Sequence, residues 1–237
     1  MGGVKLIVSD FVISFMWPWA SILVKIFVYK PLGLGFEFKD DVFRCSISVI
    51  NMFVFAWFSK LTKGGAYNPL MVLAPAMSGD SSTFLYTVGA RIPAQIIGSI
   101  TGVSHIIKTF PELGHRNPLN VDIHRGALTE GFFAFIIVLV SLGLTAKIPG
   151  SFFRKTWISS ISKVALNILA ADLTGGYMNP ASVIGWAYAS GVHLTKEHLL
   201  VYWIAPIGAT IIAVRVFRVV VQPLLRENAK ANAKKSD

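Results

Sequence analysis

An eight-residue pattern that occurs twice holds the side chains best suited to chemistry in this chain. It reads KGGAYNPL over residues 63–70 and TGGYMNPA over residues 174–181, so that an Asn-Pro pair stands at the same place in both copies. A single Asn-Pro pair is an ordinary helix start, with asparagine as the N-cap and proline at the first helical position. Two copies of the whole pattern, carrying Asn68 and Asn179, indicate an internal repeat. Their carboxamides and the positive ends of the helices that follow can donate hydrogen bonds to a neutral oxygen atom, and they repel cations.

The composition indicates that this repeat lies in a membrane. Hydrophobic residues make up 54% of the 237 positions and charged residues 14%, which is typical of a protein that crosses the bilayer several times. A helix needs about 20 apolar residues to cross the hydrocarbon. Six apolar stretches are predicted as membrane spans: residues 4–29, 42–59, 83–107, 126–146, 156–173 and 198–222.

Two of the six predicted spans contain charged and polar residues. The third span carries Arg91 and Gln95, and the fifth span carries Lys163 and Asn167. Both spans should therefore score modestly in a hydropathy window and face protein or water on one side. We interpret Arg91, Lys163 and Arg215 as side chains that pair or that reach an interface, in preference to lining a charged pathway.

The net charge of +10 follows a topological rule. With a cytosolic N-terminus, the cytosolic loops and the tail receive more lysine and arginine residues than the opposite side does. This is the positive-inside bias of membrane proteins, and it predicts that both termini are cytosolic.

The two copies of the pattern are predicted to enter the membrane from opposite faces, because three spans separate Asn68 from Asn179. The apolar stretch after each copy, at 71–80 and 182–191, is only about ten residues long, which suits a re-entrant half-helix that reaches the midplane and returns. The sequence thus predicts an all-α membrane protein of six transmembrane helices and two re-entrant half-helices. The predicted organisation is one domain over 1–225, with inverted repeats at about 1–110 and 120–225, and a basic cytosolic tail at 226–237.

Inverted repeats with broken helices place their binding sites near the bilayer centre. Non-helical backbone is tolerated at that depth only where protein covers it or water wets it. The two Asn-Pro pairs are therefore expected to meet there, so that two positive helix ends converge on one spot.

These features resemble the aquaporins, or major intrinsic proteins. The two Asn-Pro boxes, the six spans and an acidic residue early in the first and fourth spans carry the resemblance over nearly the whole chain. The acidic residues are Asp10 in SDFVISF and Glu130 in TEGFFAF. The Asn-Pro-Leu form of the first box, the pI of about 9.8 and the ALTEG, KIPGSFF and DLTGG segments resemble the second subgroup of the plant small basic intrinsic proteins.

The resemblance implies a passive channel for water and other small neutral solutes, without a cofactor, which forms a homotetramer in a lipid bilayer with one pore in each subunit. It makes Asp10 and Glu130 structural carboxylates that accept hydrogen bonds from the re-entrant loops. It assigns the pore centre to the two boxes: Asn68, Pro69, Leu70, Asn179, Pro180 and Ala181. It assigns an outer constriction to Ser48, Asn167, Gly176 and Ser182.

Two of these residues depart from the ordinary water-channel pattern. Most family members have an arginine where this chain has Ser182, so the outer constriction is expected to be wider and uncharged. Leu70 replaces an alanine, and it either crowds the pore centre or shifts the half-helix outward. High water conductance therefore does not follow from the resemblance.

Other functions have weaker support in the sequence. An enzyme would need a nucleophile with a base or a set of metal ligands, and the chain has neither a G-x-S-x-G nor an H-E-x-x-H motif. Cys45 is the only cysteine, and His193 and His198 lack an evident third ligand, so no metal site is expected. The remaining alternative is a weakly conducting or non-conducting structural protein of an internal membrane, which Leu70 and Ser182 favour.

The end of the chain carries a candidate localisation signal. Lys234 and Lys235 stand fourth and third from the C-terminus and resemble the dilysine signal that returns membrane proteins to the endoplasmic reticulum. The alternative is that they only extend the basic tail. The subgroup resemblance favours the endoplasmic reticulum membrane.

Overall fold

The structure is a computed structural model that describes residues 2–29, 32–33, 38–113, 119–146, 151–225 and 227. The predicted retrieval signal at Lys234 and Lys235 lies outside these residues, as does nearly all of the tail at 226–237.

The described part of the chain folds into six long helices and two short ones, which confirms the predicted all-α class. The long helices are α1 (Gly2–Tyr29), α2 (Phe38–Leu61), α4 (81–109), α5 (Ile123–Thr145), α6 (Phe152–Thr174) and α8 (Lys196–Leu225). The short helices are α3 (Pro69–Ala76) and α7 (Pro180–Ala189), and each directly follows an Asn-Pro box. The order of long and short helices is therefore the one that the sequence predicts.

Four of the described helices are long and apolar enough to cross a membrane by length and composition: α1, α2, α5 and α8. Helices α4 and α6 are not in this group, as expected from the charged and polar residues of the third and fifth predicted spans. Their length still matches a crossing, since each has more than 20 residues.

Polar side chains determine where several helices begin. Asp80 accepts a hydrogen bond from the N–H of Thr83 at 2.7 Å and caps α4. Asp122 accepts from the N–H groups of two residues in the first turn of α5, each at 3.0 Å. Ser151 and Thr195 cap α6 and α8 in the same way. Each of these side chains satisfies an N–H group that has no partner within its helix.

Helices α4 and α8 share an irregularity that proline causes. A wide π-type turn at Thr87–Arg91 precedes Pro93 in α4, and another at Leu200–Ile204 precedes Pro206 in α8. Proline has no N–H and its ring crowds the preceding turn, so the backbone widens there without breaking the helix.

Glycines allow α4 to approach its neighbours closely. A Cβ atom at Gly98 would overlap the carbonyl oxygen of Phe11, and one at Gly102 would lie 2.6 Å from the carbonyl oxygen of Phe15. Only glycine therefore fits where α4 crosses α1, and the spacing of four residues puts both glycines on one face of α4. The crossing fixes the helix that carries Asp10 against the helix that carries Arg91.

Candidate functional site

The two short helices begin with the same arrangement of asparagine and proline. Asn68 Oδ1 accepts a hydrogen bond from the N–H of Leu70 at 3.0 Å, and Asn179 Oδ1 accepts one from the N–H of Ser182 at 3.3 Å. The proline that follows each asparagine occupies the first turn, where its missing N–H leaves no partner unsatisfied. Each asparagine is thus the N-cap of its own half-helix.

The same two side chains also brace the half-helices against each other. Asn68 Nδ2 donates to the carbonyl oxygen of Met178 at 2.8 Å. Asn179 Nδ2 donates to the carbonyl oxygen of Tyr67 at 3.1 Å. The two Asn-Pro pairs therefore meet, as the order of the spans predicts, and the N-terminal ends of α3 and α7 face one another.

This meeting point is a concentrated source of hydrogen-bond donors and positive potential. A carboxamide nitrogen has two N–H groups. Asn68 and Asn179 each use one for the brace, and the described part of the chain supplies no acceptor for the second. Each helix end adds about half a positive elementary charge. The arrangement can therefore orient a neutral oxygen atom and disfavour a cation.

Asp10 holds the loop before α3 in place through a buried ion pair. Its carboxylate accepts from the N–H of Ala66 at 2.7 Å and from Arg91 through two bonds, Nε to Oδ2 at 2.7 Å and a guanidinium N–H to Oδ1 at 3.0 Å. Arg91 also donates to the carbonyl oxygen of Gly64 at 2.6 Å. Asp10 is fully buried and Arg91 is partly exposed, so this pair connects α1, α4 and the first loop at the edge of the interior.

Glu130 occupies the corresponding place before α7 but has different partners. Its carboxylate accepts from Thr174 Oγ1 at 2.7 Å and from the N–H groups of Tyr177 and Met178 at 3.0 and 2.9 Å. No lysine or arginine bonds to it among the residues that the structure describes. The two carboxylates thus lie against the two loops, one neutralised by a cation and the other held by neutral donors.

Met178 adopts a backbone conformation that residues other than glycine rarely adopt. Its φ is 46°, in the left-handed region that ordinarily favours glycine. The carboxylate of Glu130 binds its N–H group and the amide of Asn68 binds its carbonyl oxygen. These two bonds hold the strained residue that directs the carbonyl toward the first box.

Leu70 points away from the meeting point. Its side chain is fully buried in a core cluster with Ala74 of its own half-helix, Ala134 and Val138 of α5, and Ala213 of α8. It is absent from the wall of the cavity described next. The effect of Leu70 on the pore centre therefore stays a prediction, and the structure adds that its side chain packs in this core cluster.

A cavity of about 330 Å³ opens beside the first box. Asn68, Tyr67 and Met178 form part of its wall, together with residues of α2, α5 and α6. Six serine and threonine residues and two lysines, Lys155 and Lys163, give this otherwise mainly apolar wall its polar groups. The volume is enough for several water molecules, since one occupies roughly 30 Å³ in the liquid.

Lys163 lies on the cavity wall over two aromatic rings. Its Nζ is 4.4 Å from the ring centre of Trp17 and 4.9 Å from that of Tyr67, and it donates to Tyr67 Oη at 3.4 Å. The two rings are stacked with their centres 4.0 Å apart. This position differs from the expectation that Lys163 reaches an interface or pairs with an acid.

Among the four residues predicted for the outer constriction, the hydrogen bond that the structure shows joins Asn167 to Gly176. Asn167 Nδ2 donates to the carbonyl oxygens of Gly175 and Gly176 at 3.2 and 2.9 Å. Ser182 lies in the first turn of α7, beside Asn179. Ser48 donates to the carbonyl oxygen of Arg44 within α2, and no hydrogen bond links it to the other three among the described residues. None of the four lines the cavity beside Asn68.

Sequence reasoning missed two features of the site. It named no partner for Arg91, and it did not place Lys163 beside the first box. In both cases a signal was present, because a charged residue inside a predicted span needs a partner or a polar surface. The described residues contain no group of three histidine, cysteine, aspartate or glutamate side chains that could hold a metal ion.

Comparisons with known proteins give a consistent assignment. No protein-family model matches the chain. The chain is 55% identical over 235 residues to a protein of Arabidopsis thaliana named probable aquaporin SIP2-1, with 99% of each chain covered. It is 47% identical to aquaporin SIP2-1 of Oryza sativa subsp. japonica, with 92% of this chain and 88% of that protein covered.

A solved structure shares the fold. The X-ray structure of the aquaglyceroporin from Plasmodium falciparum superimposes with a TM-score of 0.70, at 15% sequence identity, and covers 94% of this chain and 99% of that one. With relatives of this similarity along nearly its whole length, the chain belongs to the aquaporin family, in the group of the plant small basic intrinsic proteins.

Proposed function

We propose that this protein conducts water and other small neutral solutes passively, past the meeting point of Asn68 and Asn179, in the endoplasmic reticulum membrane. The observation that best supports this proposal is the pair of braced half-helix ends, which offers amide donors and positive potential at one spot. Membership of the aquaporin family makes the protein a channel of that class and not an enzyme.

The chemistry of the meeting point favours a neutral permeant with an oxygen atom. A water or alcohol oxygen can accept the second N–H of each asparagine. A cation would approach two positive helix ends and lose its hydration without gaining a carboxylate ligand, since the cavity wall contains no aspartate or glutamate.

The outer constriction decides how large the permeant can be. Asn167, Gly176 and Ser182 carry no charge, and Asn167 spends both amide N–H groups on the carbonyls of the neighbouring loop. We infer a constriction that is wider and less selective by size than one containing an arginine. The proposal therefore includes solutes somewhat larger than water.

Stopped-flow light scattering of proteoliposomes tests the proposal directly. Vesicles with purified protein are challenged in turn with sucrose, glycerol, urea and peroxide gradients, and empty vesicles give the baseline. Faster water exit than in empty vesicles is the expected result. Rates equal to the baseline for every solute would favour the alternative of a non-conducting structural protein.

Ser182→Arg is expected to lower glycerol and urea permeability several-fold while water permeability changes little. The arginine would narrow the constriction and add a positive charge beside the first turn of α7. Ser190→Arg is the matched control, because Ser190 lies exposed at the opposite end of the same half-helix. Equal exclusion of glycerol before and after Ser182→Arg, or equal effects of both substitutions, would contradict a wide constriction.

The proposed topology and assembly rest on the charge distribution and on family membership. Both termini are proposed to be cytosolic because that arrangement follows the positive-inside bias. The proposed assembly is a homotetramer in which every subunit has its own pore.

Replacing Lys234 and Lys235 by serine is expected to move the protein from the endoplasmic reticulum to the cell surface. The physical reason is that a retrieval receptor reads the two positive charges as an address. The measurement is the distribution of a fluorescent fusion with a free C-terminus in plant cells, with Arg226→Ser/Lys230→Ser as the control that removes two tail charges elsewhere. A reticular pattern in the Lys234/Lys235 variant would show that another segment retains the protein.

A further inference from the structure

The cavity beside Asn68 has an excess of positive charge. Its wall carries Lys155 and Lys163 and no carboxylate. The half-helix that begins at Asn68 adds the positive end of its dipole. The nearest acids lie behind the wall, where Asp10 is neutralised by Arg91 and Glu130 is enclosed by its own donors.

Lys163 has hydrogen-bonding capacity that the protein leaves unused. An ammonium group has three donors, and the only hydrogen bond it makes in the described part of the chain is the long one to Tyr67 Oη. Its cation–π contacts with Trp17 and Tyr67 hold it in place but do not neutralise its charge. A charged group within a membrane ordinarily has a partner of opposite sign.

We propose that this cavity holds a small monovalent anion, such as a halide or nitrate, with the Lys163 ammonium as its principal donor. Serine hydroxyl groups of the wall and the second N–H of Asn68 supply neutral donors around it. A cavity of about 330 Å³ admits such an ion together with several waters. This site goes beyond the proposed conduction of neutral solutes, although it shares the second N–H of Asn68 with the permeant of that proposal.

Iodide is a suitable probe because it quenches tryptophan fluorescence at short range. Trp17 is not itself part of the cavity wall, but its ring centre lies 4.4 Å from Lys163 Nζ. Purified protein in detergent is titrated with sodium iodide against sodium gluconate at constant ionic strength. The expected result is a saturable component of quenching that Trp17→Phe removes and that sodium chloride or nitrate displaces. A purely linear response in the unmodified protein would overturn the proposal.

Lys163→Met tests the donor. It keeps an unbranched side chain that is one atom shorter, and it removes the charge. The iodide concentration at half-saturation should rise about tenfold or more, because hydrogen bonds to charged groups are the strong ones. Lys60→Met is the matched control, since Lys60 also lies over an aromatic ring, that of Phe152 at 5.2 Å, but outside the cavity wall. Unchanged affinity in Lys163→Met, or an equal loss in Lys60→Met, would overturn the proposal.

Two further measurements keep the outcomes separate. Lys163→Arg retains the charge and should retain saturable quenching, so it decides the matter if Lys163→Met does not assemble. Water permeability of the same preparations is measured in parallel. Iodide binding without water conduction would contradict the proposed function alone, and conduction without iodide binding would contradict this inference alone.

Discussion

Asp10→Asn is expected to lower the free energy of unfolding by ~3–5 kcal/mol, the usual cost of removing one partner of a buried ion pair. The substituted amide can still accept the N–H of Ala66, but it cannot compensate Arg91, whose side chain is only 13% exposed. The guanidinium would keep only neutral acceptors, the amide oxygen at position 10 and the carbonyl of Gly64, and would lose the bond from Nε. The measurement is the thermal unfolding midpoint of the purified protein in detergent.

The double variant Asp10→Asn/Arg91→Met separates charge from packing. It removes both charges and keeps an acceptor for the loop, so it should be more stable than Asp10→Asn alone. A double variant less stable than the single one would show that the ion pair is not the reason for the loss.

Asn179→Asp is expected to raise proton or cation leakage by at least about a hundredfold while the protein still assembles. The two helix ends at the meeting point contribute roughly one positive elementary charge in total, and a carboxylate would cancel it. At 4 Å and an effective dielectric constant of ~20, one unit charge is worth about 4 kcal/mol. The cap survives, because a carboxylate can accept the N–H of Ser182 as the carboxamide oxygen does.

Proteoliposomes loaded with a pH-sensitive dye measure this leak under an imposed potassium diffusion potential. Asn179→Ser is the control, since it also loses the bond to the carbonyl of Tyr67 and can cap the helix but adds no charge. Equal leakage in both variants would mean that cation exclusion depends on the hydrogen bonds between the two half-helices. That result would contradict the electrostatic account.

Features with a local cause could be predicted from the sequence. The asparagine caps and the first-turn prolines follow from neighbouring residues alone, and the structure has them at Asn68 and Asn179. The predicted spans match the helix bounds to within four residues. The largest differences are at the starts of the second and fifth spans, predicted at 42 and 156, where the helices begin at Phe38 and Phe152. The N-caps at Asp122 and Ser151 are both readable from the sequence. The site roles of Ser48, Asn167, Gly176 and Ser182 remain predictions.

Features that depend on helix rotation and long-range pairing could not be predicted. Successive residues of a helix turn by about 100°, so whether Leu70 faced the pore or the core depended on how α3 sits against α5 and α8. Arg91 lies 81 residues from Asp10, and no local pattern connects them. The four-residue spacing of Gly98 and Gly102 differs from these features, because it is visible in the sequence and by itself indicates a close helix crossing.

The reciprocal bonds of the two asparagines also impose an order on biosynthesis. The acceptor of Asn68 is the carbonyl of Met178, which follows it by 110 residues. At a synthesis rate of roughly 5–20 residues per second, the first half-helix exists for about 5 to 20 s before its partner has been made. During that interval the amide of Asn68 and the carbonyl of Tyr67 lack the partners that the second box supplies, so the nascent first half depends on water or on the insertion machinery to cover them. A truncated chain that ends before the second box would lack that cover permanently and become a substrate for quality control.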